Sequence, residues 1–168
     1  PFKPLMGIIG EPTQLGVATG HKGKTALKAT FTGVEVHSAL APTGVNAIHM
    51  ACDFISELRT IQAEFEQDGQ RDSDYDVPYS TVHVGTMSGG IALNIVPNRA
   101  QIEFEIRNLR EDDPQPVIER LQDCAARIVA DAQAVAPGPR IDIETANSYP
   151  GLDMPVSAPV VEFVRSLT

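Results

Sequence analysis

The sequence predicts an α+β domain in the order β-α-β-β-α-β, a four-stranded antiparallel sheet with two helices on one face. Three observations carry this expectation. Lys24 to Thr32 and Arg99 to Arg107 alternate apolar and polar residues, the two-residue period of a half-buried strand. Two longer stretches, opening at Asn46 and at Asp112, repeat apolar residues every three or four positions, the period of an amphipathic helix. Strand-like and helix-like stretches then interleave in the order that buries both helices against a single sheet face.

Residues 1–21 read as a connecting segment. Within it, Met6-Gly7-Ile8-Ile9-Gly10 is a candidate short buried strand, stopped by Glu11-Pro12-Thr13. In the first full strand, Thr25, Leu27, Ala29 and Phe31 share one face; Ala26, Lys28 and Thr30 share the other. The first helix runs from Asn46 to about Glu66. Its apolar stripe is Ile48, Ala51, Phe54, Ile55, Leu58, Ile61 and Phe65. An acidic loop, Gly69 to Asp76, follows. Tyr79 to Thr86 is the second strand, an edge strand in this order, with a turn or bulge at Gly89-Gly90. The third strand sends Ala100, Ile102, Phe104 and Ile106 inward and Gln101, Glu103, Glu105 and Arg107 outward. Asp112-Asp113-Pro114 starts the second helix, with Asp as cap and Pro in its first turn. Val117, Ile118, Leu121, Cys124, Ile128 and Val129 form its stripe. Pro137-Gly138-Pro139 ends it, and Ile141 and Ile143 belong to a last strand. Such an arrangement is ferredoxin-like, a fold that hosts enzymes, regulators and RNA binders alike.

Composition narrows the choice of partner. The 168 residues carry a formal net charge of −9 and no Trp. An acidic chain repels phosphate backbones and anionic lipid, and few aromatics are available to stack on bases, so neither nucleic acid nor a membrane is the expected partner. Cys52 and Cys124 both fall in predicted helices and are expected to be buried free thiols in a reducing cytoplasm. The chain starts at Pro1 in an apolar run and stops at Thr168 in what reads as an opening helix. We expect it to be part of a longer protein.

Local motifs announce no chemistry: H-E-x-x-H, C-x-x-C, G-x-S-x-G and the Walker loop are all absent. The four histidines are scattered. His21, His49 and His83 are expected to be structural or solvated. His37 differs, because it lies among small residues between the first strand and the first helix, where a side chain can reach beyond its own domain. It could equally bond its own loop.

A wider pattern decides between these. His37-Ser38-Ala39 with Gly44-Val45-Asn46-Ala47-Ile48 opening a helix resembles the H-S-[AS]…G-x-N-A-I signature of the M20 family of metallopeptidases and deacylases. Gly10-Glu11-Pro12-Thr13, His21-Lys22-Gly23-Lys24 and Gly89-Gly90…Asn94-Ile95-Val96-Pro97 resemble three more motifs of its dimerisation (lid) domain, in the right order. One departure is Pro42, which some relatives carry a place earlier. Val17 to Lys24, Asp72 to Pro78 and Arg107-Asn108-Leu109 look most like the acetylornithine deacetylase branch. The resemblance implies three segments: a linker at the catalytic-domain edge over 1–21, the lid over 22–149 and a return segment over 150–168. It also implies roles. Glu11 resembles a carboxylate ligand of one of two zinc or cobalt ions, a role for which carboxylate oxygen is suited. His37 resembles the lid histidine that crosses a homodimer and donates a hydrogen bond to the developing oxyanion in the partner's site. Asn94 resembles a substrate-holding asparagine. Arg107 resembles a residue that grips a substrate carboxylate; a cross-strand ion pair with a neighbouring acid suits its position on the polar strand face equally well.

The implied substrate is an N-acyl amino acid, N-acetylornithine first, attacked by metal-supplied hydroxide in the full-length enzyme. With one carboxylate ligand, this chain alone is expected to bind no metal and to be inactive. Two other readings stay open: a non-enzymatic dimerising module that binds a small molecule, and an RNA-binding sheet, the latter weakened by the charge and by the lack of exposed strand aromatics.

Overall fold

The computed structural model describes residues 3–10 and 12–167. Its element order is β1 (Gly20–His21), β2 (Lys24–Thr32), a 3-10 turn (Ser38–Thr43), α1 (Ala47–Asp68), β3 (Thr81–Gly89), β4 (Arg99–Arg107), α2 (Gln115–Gln133), β5 (Arg140–Tyr149), β6 (Leu152–Asp153) and α3 (Pro159–Arg165). Strands β3, β4, β2 and β5 lie side by side in that order, every neighbour antiparallel. This is the ferredoxin-like arrangement the sequence predicts.

The alternation in β2 and β4 does what it promised. Leu27, Ala29 and Phe31 from β2 and Ala100, Ile102, Phe104 and Ile106 from β4 are buried against both helices. Helix α1 contributes Ala51, Phe54, Leu58 and Ile61 to the same core, and α2 contributes Leu121, Cys124 and Ala125. Phe54 stands edge-on to Phe31 and to Phe104, with centroids 5.6 and 5.8 Å apart. Each such pair adds about 0.5–1.5 kcal/mol beyond the area it buries. Asn46 caps α1, its Oδ1 accepting from the Ile48 and His49 amides. At the head of α2 the cap position falls to Pro114, one residue after the Asp expected there; Asp113 Oδ1 still accepts from the Gln115 amide, and Pro116 sits in the first turn. The helices are clamped together by Arg120, which donates to Glu57 and Glu64 across the interface.

Four expectations need correction. Met6–Gly10 is neither strand nor buried: Ile9 is 80% exposed. An apolar run has no preference for a strand unless a sheet offers it an edge, and here none does. Second, β3 begins two residues later and runs three residues further than expected, through Met87 and Ser88, and its bulge lies at Gly85 between Val84 and Thr86. Third, Cys52 is exposed and only Cys124 is buried, because Cys52 lies beside the helical stripe of Ala51 and Phe54. Fourth, β1 pairs with β6, a two-stranded ribbon joining residues 20–21 to residues 152–153 that no local pattern announces.

Candidate functional site

The described candidate residues sit at opposite ends of the sheet. At one end, here the tip, β2 leaves the sheet at Gly33, whose amide donates to Asn98 O at 2.8 Å. A Cβ at Gly33 would stand 2.1 Å from Val45 O, so only glycine lets the backbones of Val34 and Val45 pair as they do. Beyond that pairing the two tip loops zip together. Val96 donates to Val36 O at 2.8 Å and Ser38 donates to Asn94 O at 2.9 Å, and His37 bridges to Ile95. The backbones carrying His37 and Asn94 are thus fixed against each other, although 57 sequence positions separate them. Both side chains are exposed.

His37 also caps the 3-10 turn. Its Nδ1 accepts from the Ala39 amide at 3.1 Å. An imidazole whose Nδ1 is an acceptor carries its proton on Nε2 in the neutral form. The local fold therefore presents Nε2–H as a donor. The same two loops carry exposed apolar side chains: Leu40, Ile91 and Leu93, the last fully exposed.

At the other end, here the hinge, Arg107 closes β4. Its Nε donates to Glu105 Oε1 at 2.9 Å, and the other oxygen of Glu105 lies 3.3 Å from Lys24 Nζ. The ion pair of Arg107 therefore lies along its own strand, not across to a neighbouring strand as anticipated. Burial disfavours the charge on both partners, yet their hydrogen bonding outweighs it. Glu105 is held below the usual carboxylate range by Arg107 and Lys24, and Arg107 is held above its ordinary value by Glu105 and Tyr149. Arg107 and Tyr149 line a cavity of about 700 Å³ together with His21, Leu15, Leu152 and Met154. Behind it, Lys22 donates to the carbonyls of Val77 and Tyr79 and so ties down the loop before β3. Desolvation lowers the Lys22 pKa, partly offset by Asp72.

His37 and Asn94 are brought together; Arg107 is not brought to them. The strand between spans about 27 Å at roughly 3.4 Å per residue. Glu11 lies outside the described residues. Among the described residues no group of three or more His, Cys, Asp or Glu side chains is placed to hold a metal ion, so they do not fit a zinc or cobalt site. No helix among them is long and apolar enough to cross a membrane. His49 and His83 are exposed, and His21 stands edge-on to Tyr149 at 6.0 Å. Sequence reading missed Glu105, Lys24 and Tyr149. The i, i+2 spacing of Glu105 and Arg107 was a usable signal, since it puts both on one strand face; Lys24 and Tyr149 join them only through the sheet register.

The fold and tip define a class: a ferredoxin-like domain whose paired loops expose polar side chains away from their own core. A family model, the peptidase dimerisation domain of the M20 family, matches residues 19–132, and the chain belongs to that family. Among curated proteins it is similar to the acetylornithine deacetylases of Proteus mirabilis (strain HI4320) and Pasteurella multocida (strain Pm70). The identities are 29% over 167 residues and 31% over 172 residues, each covering 99% of this chain. The chain spans 42% of the length of either relative. Among solved structures it resembles the aminopeptidase PepT of Bacillus cereus ATCC 10987, with TM-score 0.63 and 23% identity over 86% of this chain and 34% of that one. It also resembles the aminobenzoyl-glutamate utilization protein of Klebsiella pneumoniae, with TM-score 0.63 and 25% identity over 90% and 36%.

Proposed function

We propose that this chain is the lid of a larger homodimeric amide hydrolase, one that removes the acyl group from an N-acyl amino acid. The proposed reaction is N-acetylornithine to ornithine and acetate, a cytoplasmic step of arginine biosynthesis. The curated relatives' name supports the substrate. The observation that carries the catalytic reading is the His37 loop, where an occupied Nδ1 leaves an exposed Nε2–H as a donor. A fixed donor aimed at the oxygen that gains charge as an amide carbonyl is attacked stabilises the transition state more than the ground state. Asn94, on the loop bonded to that of His37, holds the substrate beside it. In this reading the zinc or cobalt ions belong to the full-length enzyme, with Glu11 as one ligand.

Both tip side chains face away from their own core, which suits service in a partner's active site. The route to a partner is β3, a sheet edge paired, among the described residues, only with β4. Thr81 to Gly89 contains neither Pro nor Lys, the usual guards of an open edge. We read β3 and the adjoining α1 as joining their counterparts about a two-fold axis.

The test is His37→Ala in the full-length protein. It is expected to lower kcat by about 10²–10³ with little change in KM, the usual loss for one oxyanion donor. Metal content and dimerisation stay normal. Mixing this variant with a subunit disabled at its own metal site restores part of the activity. A wild-type kcat in the single variant removes the transition-state role. A dead mixed dimer, with heterodimer formation verified, removes the crossover.

A further inference from the structure

The hinge cluster has an order of its own. Lys24, Glu105, Arg107 and Tyr149 meet on the sheet face away from the helices. Lys24 pairs in register with Tyr149 across β2 and β5, and Glu105 lies two residues before Arg107 on β4. Glu105 uses both oxygens, one on Arg107 Nε and one toward Lys24. That geometry is side-on. A carboxylate pairing with the two Nη groups would occupy the fork that best recognises another carboxylate. A carboxylate on Nε does not demand that fork. Two cations and one anion also leave the cluster one positive charge to offer a ligand. Arg107 and Tyr149 open on the cavity, whose other walls include Leu152 and Met154.

We propose that Glu105 is the positioning residue for Arg107: steadied by Lys24, its carboxylate fixes the guanidinium so that the Nη fork receives a substrate carboxylate in the hinge cavity. The inference rests on the reading of Arg107 as the substrate's carboxylate grip. An arginine that has lost Glu105 would be left with Tyr149 as a partner, sample more rotamers and lose part of its binding energy in being ordered again.

Two substrates separate this inference from the reading it rests on: N-acetylornithine and its carboxamide, which lacks the α-carboxylate. Arg107→Ala in the full-length protein is expected to raise KM for the acid far more than for the amide. If it does not, the carboxylate grip is wrong and the role of Glu105 falls with it. Given that selective loss, Glu105→Ala is expected to raise KM for the acid about tenfold, with kcat and the amide's KM little changed. Glu105→Gln, which keeps an acceptor for Nε, restores part of the loss. Two results overturn the positioning role while Arg107 stands. One is an unchanged KM for the acid in Glu105→Ala. The other is a lowered one, which would make Glu105 a competitor of the substrate. Equal losses on acid and amide, or a thermal midpoint that falls in step with KM across the variants, mark a structural role and overturn it as well.

Discussion

Tip and hinge are held by different means. At the tip the backbone does the fixing: Val34 with Val45, Val36 with Val96, Ser38 with Asn94, while the side chains of His37 and Asn94 stand exposed. At the hinge the side chains fix one another, Lys24 to Glu105 to Arg107. Under the proposed function, side chains that act on a surface outside their domain are presented by a rigid main chain, and one that grips within its own subunit is steadied by neighbours on the same sheet.

That contrast can be broken first at the glycines. Gly33→Ala is expected to cost about 3 kcal/mol, the upper part of the usual range for overpacking. Its new Cβ meets only backbone, Val45 O at 2.1 Å and Ala47 N and Pro97 O at 3.0 Å, and backbone cannot step aside. Thermal denaturation measures the loss, and amide exchange at Ser38 and Val96 should rise with it. At the hinge, Gly23→Ala meets the Asn108 side chain at 2.5 Å. Asn108 can turn at the expense of its bonds to the Leu109 and Asp112 carbonyls, so about 1–2 kcal/mol is expected. A larger loss at Gly23 than at Gly33 would reverse the contrast.

Asn46→Ala sharpens it at smaller scale. Losing the α1 cap should cost about 1 kcal/mol, read as a lower denaturant midpoint with an unchanged slope. Amides around Ile48 and His49 should exchange faster, while those near Arg107 should not.

The smallest effect is pH dependence. The Glu105 carboxyl titrates below its ordinary value of 4.5 in the folded protein. A depressed carboxylate pKa adds stability above the unfolded value, and that contribution is lost as pH falls through the folded one. Lowering the pH from 4.5 is therefore expected to loosen the hinge before the tip, whose backbone bonds do not titrate. Glu64, held low chiefly by its hydrogen bond to Arg120, loosens the helix pair in the same window. Hydrogen exchange followed from pH 5 downward checks the order of events; a tip that opens first would contradict it.

Much of this was legible without coordinates. Alternation and helical period marked β2, β4, α1 and α2, because burial against one sheet face leaves a periodic imprint on composition. The turn at Pro137-Gly138-Pro139 followed from local chemistry, and the helical period placed the start of α1 at Asn46, which the structure makes its cap. Met6–Gly10 misled because an apolar run states only that burial would be favourable, not that a surface exists to bury it. The β1–β6 ribbon was silent because two residues on each side carry no period. Motif order marked His37 and Asn94 as belonging to one kind of site, but only the folded chain supplies the Ser38–Asn94 bond and the accepting Nδ1 of His37, because contacts between loops depend on where strands end in space. The same holds for Lys24 beside Glu105. Which residues face one way is local and written in the sequence; which of those faces meet is set by strand register, and that belongs to the tertiary structure.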